Sequence, residues 1–302
     1  MTGIPLNWIS YALFASFSAA LMAQANHHLQ MRGTLLVLLR SVFTVLLLAP
    51  VVALVSWPGH TSFYVYFFLG ALSAFVGDVL LFDAARKFGG RLTSMFMPVT
   101  IISSFLLWCA IDRLYLTQLL DTPLTSFGII GCLLLAVYGI ASLRNCDVSW
   151  PAFKQVFFVG LSYSLIDIFV KLGMEGTNFQ QTAILFAFIK AAASLPFAWL
   201  AIRFKREAGL GALQNWGEIV AGKRRFFLMV GLIVGAISVA NSYALNMAVG
   251  LSPNPGYVGV LVLLSIVWLS LYNRLRGFDD RASVKNIAML AVSAAGLILL
   301  TR

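Results

Sequence analysis

Long apolar runs recur along almost the whole 302-residue chain, and they constrain the fold more than any other feature. Charged residues, prolines and glycines divide the sequence into segments of about 20 mainly apolar residues, the length of a helix that crosses a hydrocarbon layer of about 30 Å. Hydrophobic residues make up 60% of the chain and charged residues only 11%. A soluble domain needs a far more polar exterior, so most of the protein surface must face lipid.

We therefore predict an all-α polytopic membrane protein with ten transmembrane helices, forming a single transmembrane domain over residues 1–302. The sequence shows neither a long soluble domain nor a targeting peptide, because its first basic residue, Arg32, follows the first apolar run. The predicted segments are 5–26, 34–55, 64–85, 92–111, 124–143, 153–172, 182–202, 226–248, 254–273 and 284–301.

The positive charges predict the orientation in the membrane. Of the 21 lysine and arginine residues, 16 fall in connections after odd-numbered segments, and three lie on the opposite side. Because basic short loops stay in the cytoplasm, we expect both termini on the non-cytoplasmic side of a bacterial cytoplasmic (inner) membrane. The net charge of +10 is explained by this distribution, so we expect no nucleic-acid partner.

The two halves of the sequence match weakly but in a common order. The run "SYAL" at 10–13 corresponds to "SYSL" at 162–165, and Arg40 corresponds to Lys190. Five helices followed by five more would enter the membrane from opposite sides, because five is odd. The pattern predicts two inverted five-helix repeats, 1–147 and 148–302, a plan used by many secondary transporters.

Ten helices arranged as five plus five, with very short connections and a proline, Pro98, in the fourth segment, resemble the drug/metabolite transporter (DMT) superfamily, and specifically its EamA-type permeases. Such permeases commonly carry a Gly-Glu pair after the fourth and ninth helices, where this chain has Asp112-Arg113 and Asn273-Arg274. Gly259 stands where Pro98 would recur in the second half. The resemblance implies a central cavity between the halves, alternating access, and export or exchange of a small metabolite.

Several ionisable residues lie inside the apolar segments, where each costs about 3 kcal/mol unless it faces a cavity or a partner. From a rise of about 1.5 Å per residue, Arg40 and Asp78 have similar depths, as do Lys190 and Asp167. Each cation can therefore pair with the acid at its own depth. The residues concerned are Arg40, Asp78, Asp83, Asp167, Lys171 and Lys190.

Arg40 and Lys190 are the predicted binding residues for an anionic group on the substrate. Asp78 and Asp167 are predicted to pair with these cations or to couple transport to protons. The alternative is that the ion pairs only fix helix packing. Lys171 lies four residues from both Asp167 and Glu175, which predicts a salt-bridge ladder on the helix surface.

Further polar side chains are candidates for the substrate site. Asn241, Tyr243 and Asn246 make the eighth segment unusually polar, either to orient the substrate or to join helices. Tyr11 and Tyr163 occupy corresponding positions in the two halves, and they either line the cavity or contribute to packing.

The predicted function is that of a secondary transporter, which moves a small metabolite, amino-acid-like or another small anion-bearing solute, by alternating access. The alternative is a flippase for an amphiphilic lipid or a lipid head group. The motifs of intramembrane proteases are missing, so we do not predict an enzyme. Three cysteines without CxxC spacing and the lack of a Walker-type loop predict neither a metal nor a cofactor. The expected partners are a small-molecule substrate and the lipid bilayer, and a homodimer stays open.

Overall fold

The computed structural model describes residues 4–29, 33–88, 96–142, 150–204, 216–277 and 284–301, and every regular element in these ranges is a helix. The helices are α1 (Ile4–Leu29), α2 (Gly33–Val52), α3 (Thr61–Phe88), α4 (Phe96–Ile111), α5 (Arg113–Asp121), α6 (Pro123–Ser142), α7 (Trp150–Met174), α8 (Phe179–Phe204), α9 (Trp216–Leu251), α10 (Pro255–Val262), α11 (Leu264–Leu275) and α12 (Val284–Leu300).

Many of these helices are suited to a bilayer. Over the described ranges, seven spans are long and apolar enough to cross it, and the pair α4 and α5 adds an eighth if it is one broken span. Two shorter apolar helices cover Val37–Val52 and Val284–Leu300. Large apolar side chains such as Leu54, Leu124 and Phe127 are exposed, as expected where lipid covers the surface. The chain is therefore a polytopic helical membrane protein.

Each of the ten predicted segments coincides with at least one described helix, but two details differ. Helix α9 begins at Trp216, whereas the prediction placed this boundary at 226. The short helix α5 was not predicted, because "RLYLTQLLD" is too short and too polar for a span and follows the break at Asp112. Pro98 is the third residue of α4, in the first turn, where a missing N–H removes no helical hydrogen bond.

The main packing partners join the first half of the chain to the second. Helix α1 packs on α9, α2 on α8, α3 on α7, and α6 on α12. In the order of the predicted segments these pairs are first with eighth, second with seventh, third with sixth, and fifth with tenth. If the first five segments exchange places with the last five, so that the first becomes the sixth and so on, the set of pairs stays the same. Two halves related by an approximate symmetry would pack in this way.

Aromatic and small side chains fill the core between the halves. The rings of Phe67 on α3 and Phe186 on α8 have centroids 4.6 Å apart, and both side chains are almost fully buried. Gly70, one turn beyond Phe67, approaches Phe186 so closely that an added Cβ would lie 2.9 Å from its ring. Close approach of this kind is typical of helix packing in membranes, because small residues let the backbones come together.

Polar side chains cap the helices that follow two of the breaks. Helices α4 and α5 meet at an angle of 101°, and the Asp112 carboxylate between them accepts a hydrogen bond of 2.9 Å from the Tyr115 N–H. Asn254 caps α10 in the same way, accepting from the Gly256 N–H at 2.8 Å, with Pro255 as the first helical residue. The break between α9 and α10 thus covers residues 252–254, close to the predicted boundary between the eighth and ninth segments.

Replacing Gly160 with alanine should lower the thermal stability of the folded protein. A Cβ at this position of α7 would lie 2.6 Å from the Val99 Cβ and 2.8 Å from the Phe96 carbonyl oxygen, so α4 would have to move. Overpacking of this kind costs about 1–3 kcal/mol. Thermal unfolding in detergent measures the effect.

The matched control is Gly131→Ala, since a Cβ at Gly131 meets nothing within 4 Å. We expect this variant to unfold at the wild-type temperature. Equal unfolding temperatures for the two variants would contradict the close approach of α4 and α7.

Candidate functional site

A cavity of about 90 Å³ lies among α2, α7, α8 and α9, with Met22 of α1 at its edge. This volume holds several water molecules, or one compact polar group, but it is below the range of about 300 Å³ and more that is typical of drug-sized ligands. Most of its polar lining comes from one face each of α2, α8 and α9. The polar and charged lining residues are Arg40, Ser41, Thr44, Asp167, Lys190, Ser194, Ser238, Asn241, Ser242 and Asn246.

Arg40 contacts Asp78 at one side of this cavity, as their predicted depths indicated. Arg40 Nη2 lies 3.5 Å from Asp78 Oδ2, and the side chains are 29% and 13% exposed. The Tyr163 hydroxyl donates a hydrogen bond of 2.5 Å to the other carboxylate oxygen, Oδ1. Since 3.5 Å is long for a charged hydrogen bond, and a guanidinium has five N–H donors, Arg40 keeps donor capacity for a further anion.

Lys190 lines the same cavity without a direct anionic partner. Within the ranges that the structure describes, its ammonium group donates no hydrogen bond and has no carboxylate within 4.0 Å. Asp167 Oδ2 instead accepts a hydrogen bond of 3.2 Å from the Ser104 hydroxyl of α4. Lys190 and Asp167 therefore interact electrostatically across the cavity without a direct salt bridge, because similar depth does not fix the direction in which a side chain points.

The two asparagines at the cavity also join helices. Asn241 Oδ1 accepts a hydrogen bond of 3.1 Å from Ser18 Oγ of α1. Asn246 Nδ2 donates to the Ala183 carbonyl oxygen of α8 at 3.0 Å. Both predicted roles are thus compatible with their positions, since each side chain borders the cavity and also connects α9 to a neighbouring helix.

The three tyrosines among the candidates lie outside the lining of the central cavity. Tyr163 is bound to Asp78, and its ring stacks on Phe96 with centroids 5.1 Å apart. Tyr11 and Tyr243 pack edge to face, with centroids 6.1 Å apart. Of the two predicted roles for Tyr11 and Tyr163, the packing role matches these contacts, and Tyr163 is a positioning residue for Asp78.

Lys171 has a different role from the predicted surface ladder. The residue is only 8% exposed, its Nζ donates to the Ser252 carbonyl oxygen, and Gly250 O lies 3.5 Å away. The ammonium also lies 4.8 Å from the centroid of the Trp108 ring. A cation at the end of α9 binds unpaired carbonyls and complements the helix dipole. The predicted salt bridges to Asp167 and Glu175 are not formed, since Arg40–Asp78 is the one ion pair within the described ranges.

Two residues beside the predicted cations were missed at the sequence level. Thr44 lies four residues after Arg40, and Ser194 lies four residues after Lys190, so each hydroxyl shares a helix face with a cation. Both line the cavity. The four-residue spacing from each cation could have indicated these two residues in the sequence. Hydroxyl residues are common in membrane helices, however, and only their position at the cavity distinguishes Thr44 and Ser194 from the others.

The chemistry of this site favours binding an anion. Within the described ranges, no three His, Cys, Asp or Glu side chains are placed to hold a metal ion. The charged groups around the cavity are two cations and two carboxylates, and each carboxylate already accepts a hydrogen bond from a protein hydroxyl. Lys190 is the charged group of this cavity whose N–H donors make no hydrogen bond within the described ranges.

Comparisons with known proteins support the fold alone. No protein-family model and no curated protein matches the sequence. A solved structure described as "Crystal structure of protein" is similar with a TM-score of 0.64 and 16% sequence identity, over 99% of this chain and 98% of that chain. The fold of this membrane protein is therefore shared over its full length with a protein of known structure.

Replacing Lys171 with methionine should destabilise the protein without weakening an anion bound in the central cavity. The change keeps much of the side-chain length but leaves the Ser252 and Gly250 carbonyls without their donor, which costs about 1–3 kcal/mol. Thermal unfolding in detergent should show a lower transition temperature. Lys154→Met is the control, because Lys154 is an exposed lysine on the same helix. A wild-type transition temperature for Lys171→Met would contradict the capping role.

Proposed function

We propose that this protein is a secondary transporter that moves a small anion-bearing solute across the membrane by alternating access. The observation that carries the proposal is the cavity itself, in which Arg40 and Lys190 come from corresponding positions of the two halves. Asp78 already lies beside Arg40, whereas the Lys190 ammonium has no carboxylate within 4.0 Å among the described residues and interacts with Asp78 and Asp167 only at longer range. The site therefore has unused cationic donors that a guest of negative charge can bind.

The cost of buried charge supports this role over a purely structural one. A cation in a membrane helix is retained when it pairs with a carboxylate or faces a hydrated cavity that serves transport. Arg40 satisfies the first condition through Asp78. Lys190 satisfies the second, because it lines the cavity and has no carboxylate within 4.0 Å of its ammonium among the described residues.

The proposed mechanism is a competition for Arg40. Without substrate, Asp78 of α3 accepts from the guanidinium of α2. A substrate anion that enters the cavity offers a second acceptor, which the planar guanidinium can bind through two N–H groups while Lys190 adds a mobile point charge. The contact between α2 and α3 weakens as the substrate contact forms. Binding thus shifts the balance between conformations, because the substrate interacts differently with each of them.

The wider arrangement is part of the same proposal. Ten transmembrane helices form two inverted repeats, as in EamA-type permeases of the DMT superfamily. The basic residues indicate that both termini of this chain lie on the non-cytoplasmic side of a bacterial inner membrane. The apolar helices, the exchange-symmetric packing and the position of the basic residues support this arrangement. Asn241 and Asn246 orient the substrate at the α9 side of the cavity.

Replacing Arg40 or Lys190 with glutamine should abolish substrate binding. Stabilisation of the purified protein against heat is measured with a panel of amino acids, small carboxylates and phosphate monoesters. At least one compound should raise the unfolding temperature of the wild type and neither variant should respond to it, because each has lost one of the two cations.

The controls separate binding from folding. Lys154→Gln removes an exposed lysine and should respond as the wild type does. Arg40→Gln leaves Asp78 without its cation, so the double variant Arg40→Gln/Asp78→Asn restores a neutral pair and should fold but not bind. Full binding by either single variant, or no response of the wild type to the whole panel, would refute the proposed function.

The orientation is tested with single cysteines at the two ends. In a background that lacks Cys109, Cys132 and Cys146, we expect Thr2→Cys and Arg302→Cys to react with a maleimide that cannot cross the inner membrane. Both cysteines should be labelled in bacteria whose inner membrane is intact. Labelling only after that membrane is permeabilised would place the termini in the cytoplasm and overturn the predicted orientation.

A further inference from the structure

Each cation of the cavity has a hydroxyl residue one helical turn away, and this arrangement narrows the class of substrate. Arg40 and Thr44 lie on one face of α2, and Lys190 and Ser194 lie on one face of α8. All four residues line the same cavity. They also correspond between the halves, since Thr44 and Ser194 have the same separation in sequence as Arg40 and Lys190. The inference rests on the proposed function, which it deepens.

Thr44 carries a hydrogen-bonding group that the protein leaves unused. The residue is 2% exposed, and its Oγ1 has no hydrogen-bond partner among the described residues. Buried hydroxyls almost always have a partner, so an unpaired one beside a cavity indicates a group that a guest supplies. The corresponding hydroxyl of Ser194 already donates to the Lys190 carbonyl oxygen at 2.7 Å. Of the two corresponding hydroxyls, the unpaired one is therefore that of Thr44, on the same helix as Arg40.

The donors around the cavity exceed what a carboxylate can accept. Arg40 keeps several N–H groups beyond the one that contacts Asp78, Lys190 has three, and Thr44 has one. Ser41, which is also 2% exposed, adds a hydroxyl next to Arg40. A carboxylate has two oxygens in one plane, whereas a phosphate group spreads three oxygens in three dimensions and carries nearly twice the charge.

We propose that the cavity binds the phosphate group of a phosphate monoester, with Arg40, Lys190 and Thr44 each donating to its oxygens. Thr44 is the residue assigned to distinguish phosphate from carboxylate, because its unpaired hydroxyl adds a donor for a third oxygen. Two kinds of ligand carry a phosphate monoester: soluble phosphorylated metabolites, and phosphatidic acid through its head group.

Binding to the purified full-length protein in detergent tests the proposal. The probes are glycerol 3-phosphate, succinate, glutamate, and short-chain phosphatidic acid in mixed micelles, each titrated while the unfolding temperature is recorded. Wild-type protein should bind a phosphate probe at least tenfold more tightly than succinate or glutamate. Binding of phosphatidic acid but not of glycerol 3-phosphate would identify a lipid as the ligand. Binding of glycerol 3-phosphate but not of phosphatidic acid would identify a soluble metabolite. Both results support the proposal.

Thr44→Val keeps the shape of the side chain and removes its hydroxyl. We expect phosphate binding to weaken about tenfold or more, since a hydrogen bond to a charged group is lost, while any binding of carboxylates changes little. Thr44→Ser should restore phosphate binding. Thr117→Val is the matched control, because the Thr117 hydroxyl is exposed and bonds to its own helix.

The outcomes distinguish this inference from the proposed function. Equal phosphate binding by wild type and Thr44→Val, or preferred binding of succinate or glutamate, overturns the phosphate assignment and leaves the anion transporter standing. Loss of binding of every probe in Arg40→Gln, together with a selective loss of phosphate in Thr44→Val, supports both. If the wild type binds none of the probes, both proposals fail.

Discussion

The burial of charge in an apolar medium is the constraint on which the rest of this structure depends. A bundle of helices exposed to lipid needs no charge in its interior, and each ionised group placed there carries a cost that packing alone does not offset. Arg40, Asp78, Asp167 and Lys190 nevertheless lie within a few helical turns of one another, along the junction of the two halves. Their arrangement explains why a polar cavity exists where close packing would otherwise be favoured.

The packing of the helices gives that cavity its composition. Helices α2 and α8 contact each other and each presents a cation and a hydroxyl to the same space, while α9 adds Asn241 and Asn246 from the opposite side. Small residues elsewhere allow the helices to approach closely, as Gly160 does against α4. The apolar parts of the bundle thus hold the polar faces together, and the two cations of the cavity and their neighbouring hydroxyls lie on one turn each of α2 and α8.

The sequence predicted the elements of this fold better than their interactions. Apolar runs located the long helices, because length and hydropathy alone decide which segments suit a bilayer. Depth along the helix correctly brought Arg40 to Asp78. It also placed Lys190 within electrostatic range of Asp167, but without direct contact, because that carboxylate accepts a hydrogen bond from Ser104 of α4. Rotation about the helix axis is set by packing, and no linear pattern records it. Lys171 shows the same limit, since the helix ladder was possible in sequence but the residue lies under the end of α9.

Tyr163 has a consequence for how fast such a site could switch. Its hydroxyl binds one oxygen of Asp78 while Arg40 lies beside the other. In the proposed competition, the Arg40 guanidinium turns to the substrate anion while the Tyr163 hydroxyl still donates to Asp78. The Asp78 carboxylate would therefore keep one hydrogen bond throughout the exchange. This hydrogen bond would lower the activation barrier, because the Asp78 carboxylate would not have to lose all of its donors at once. The Tyr163 hydroxyl would thus affect the rate of turnover more than the affinity for substrate.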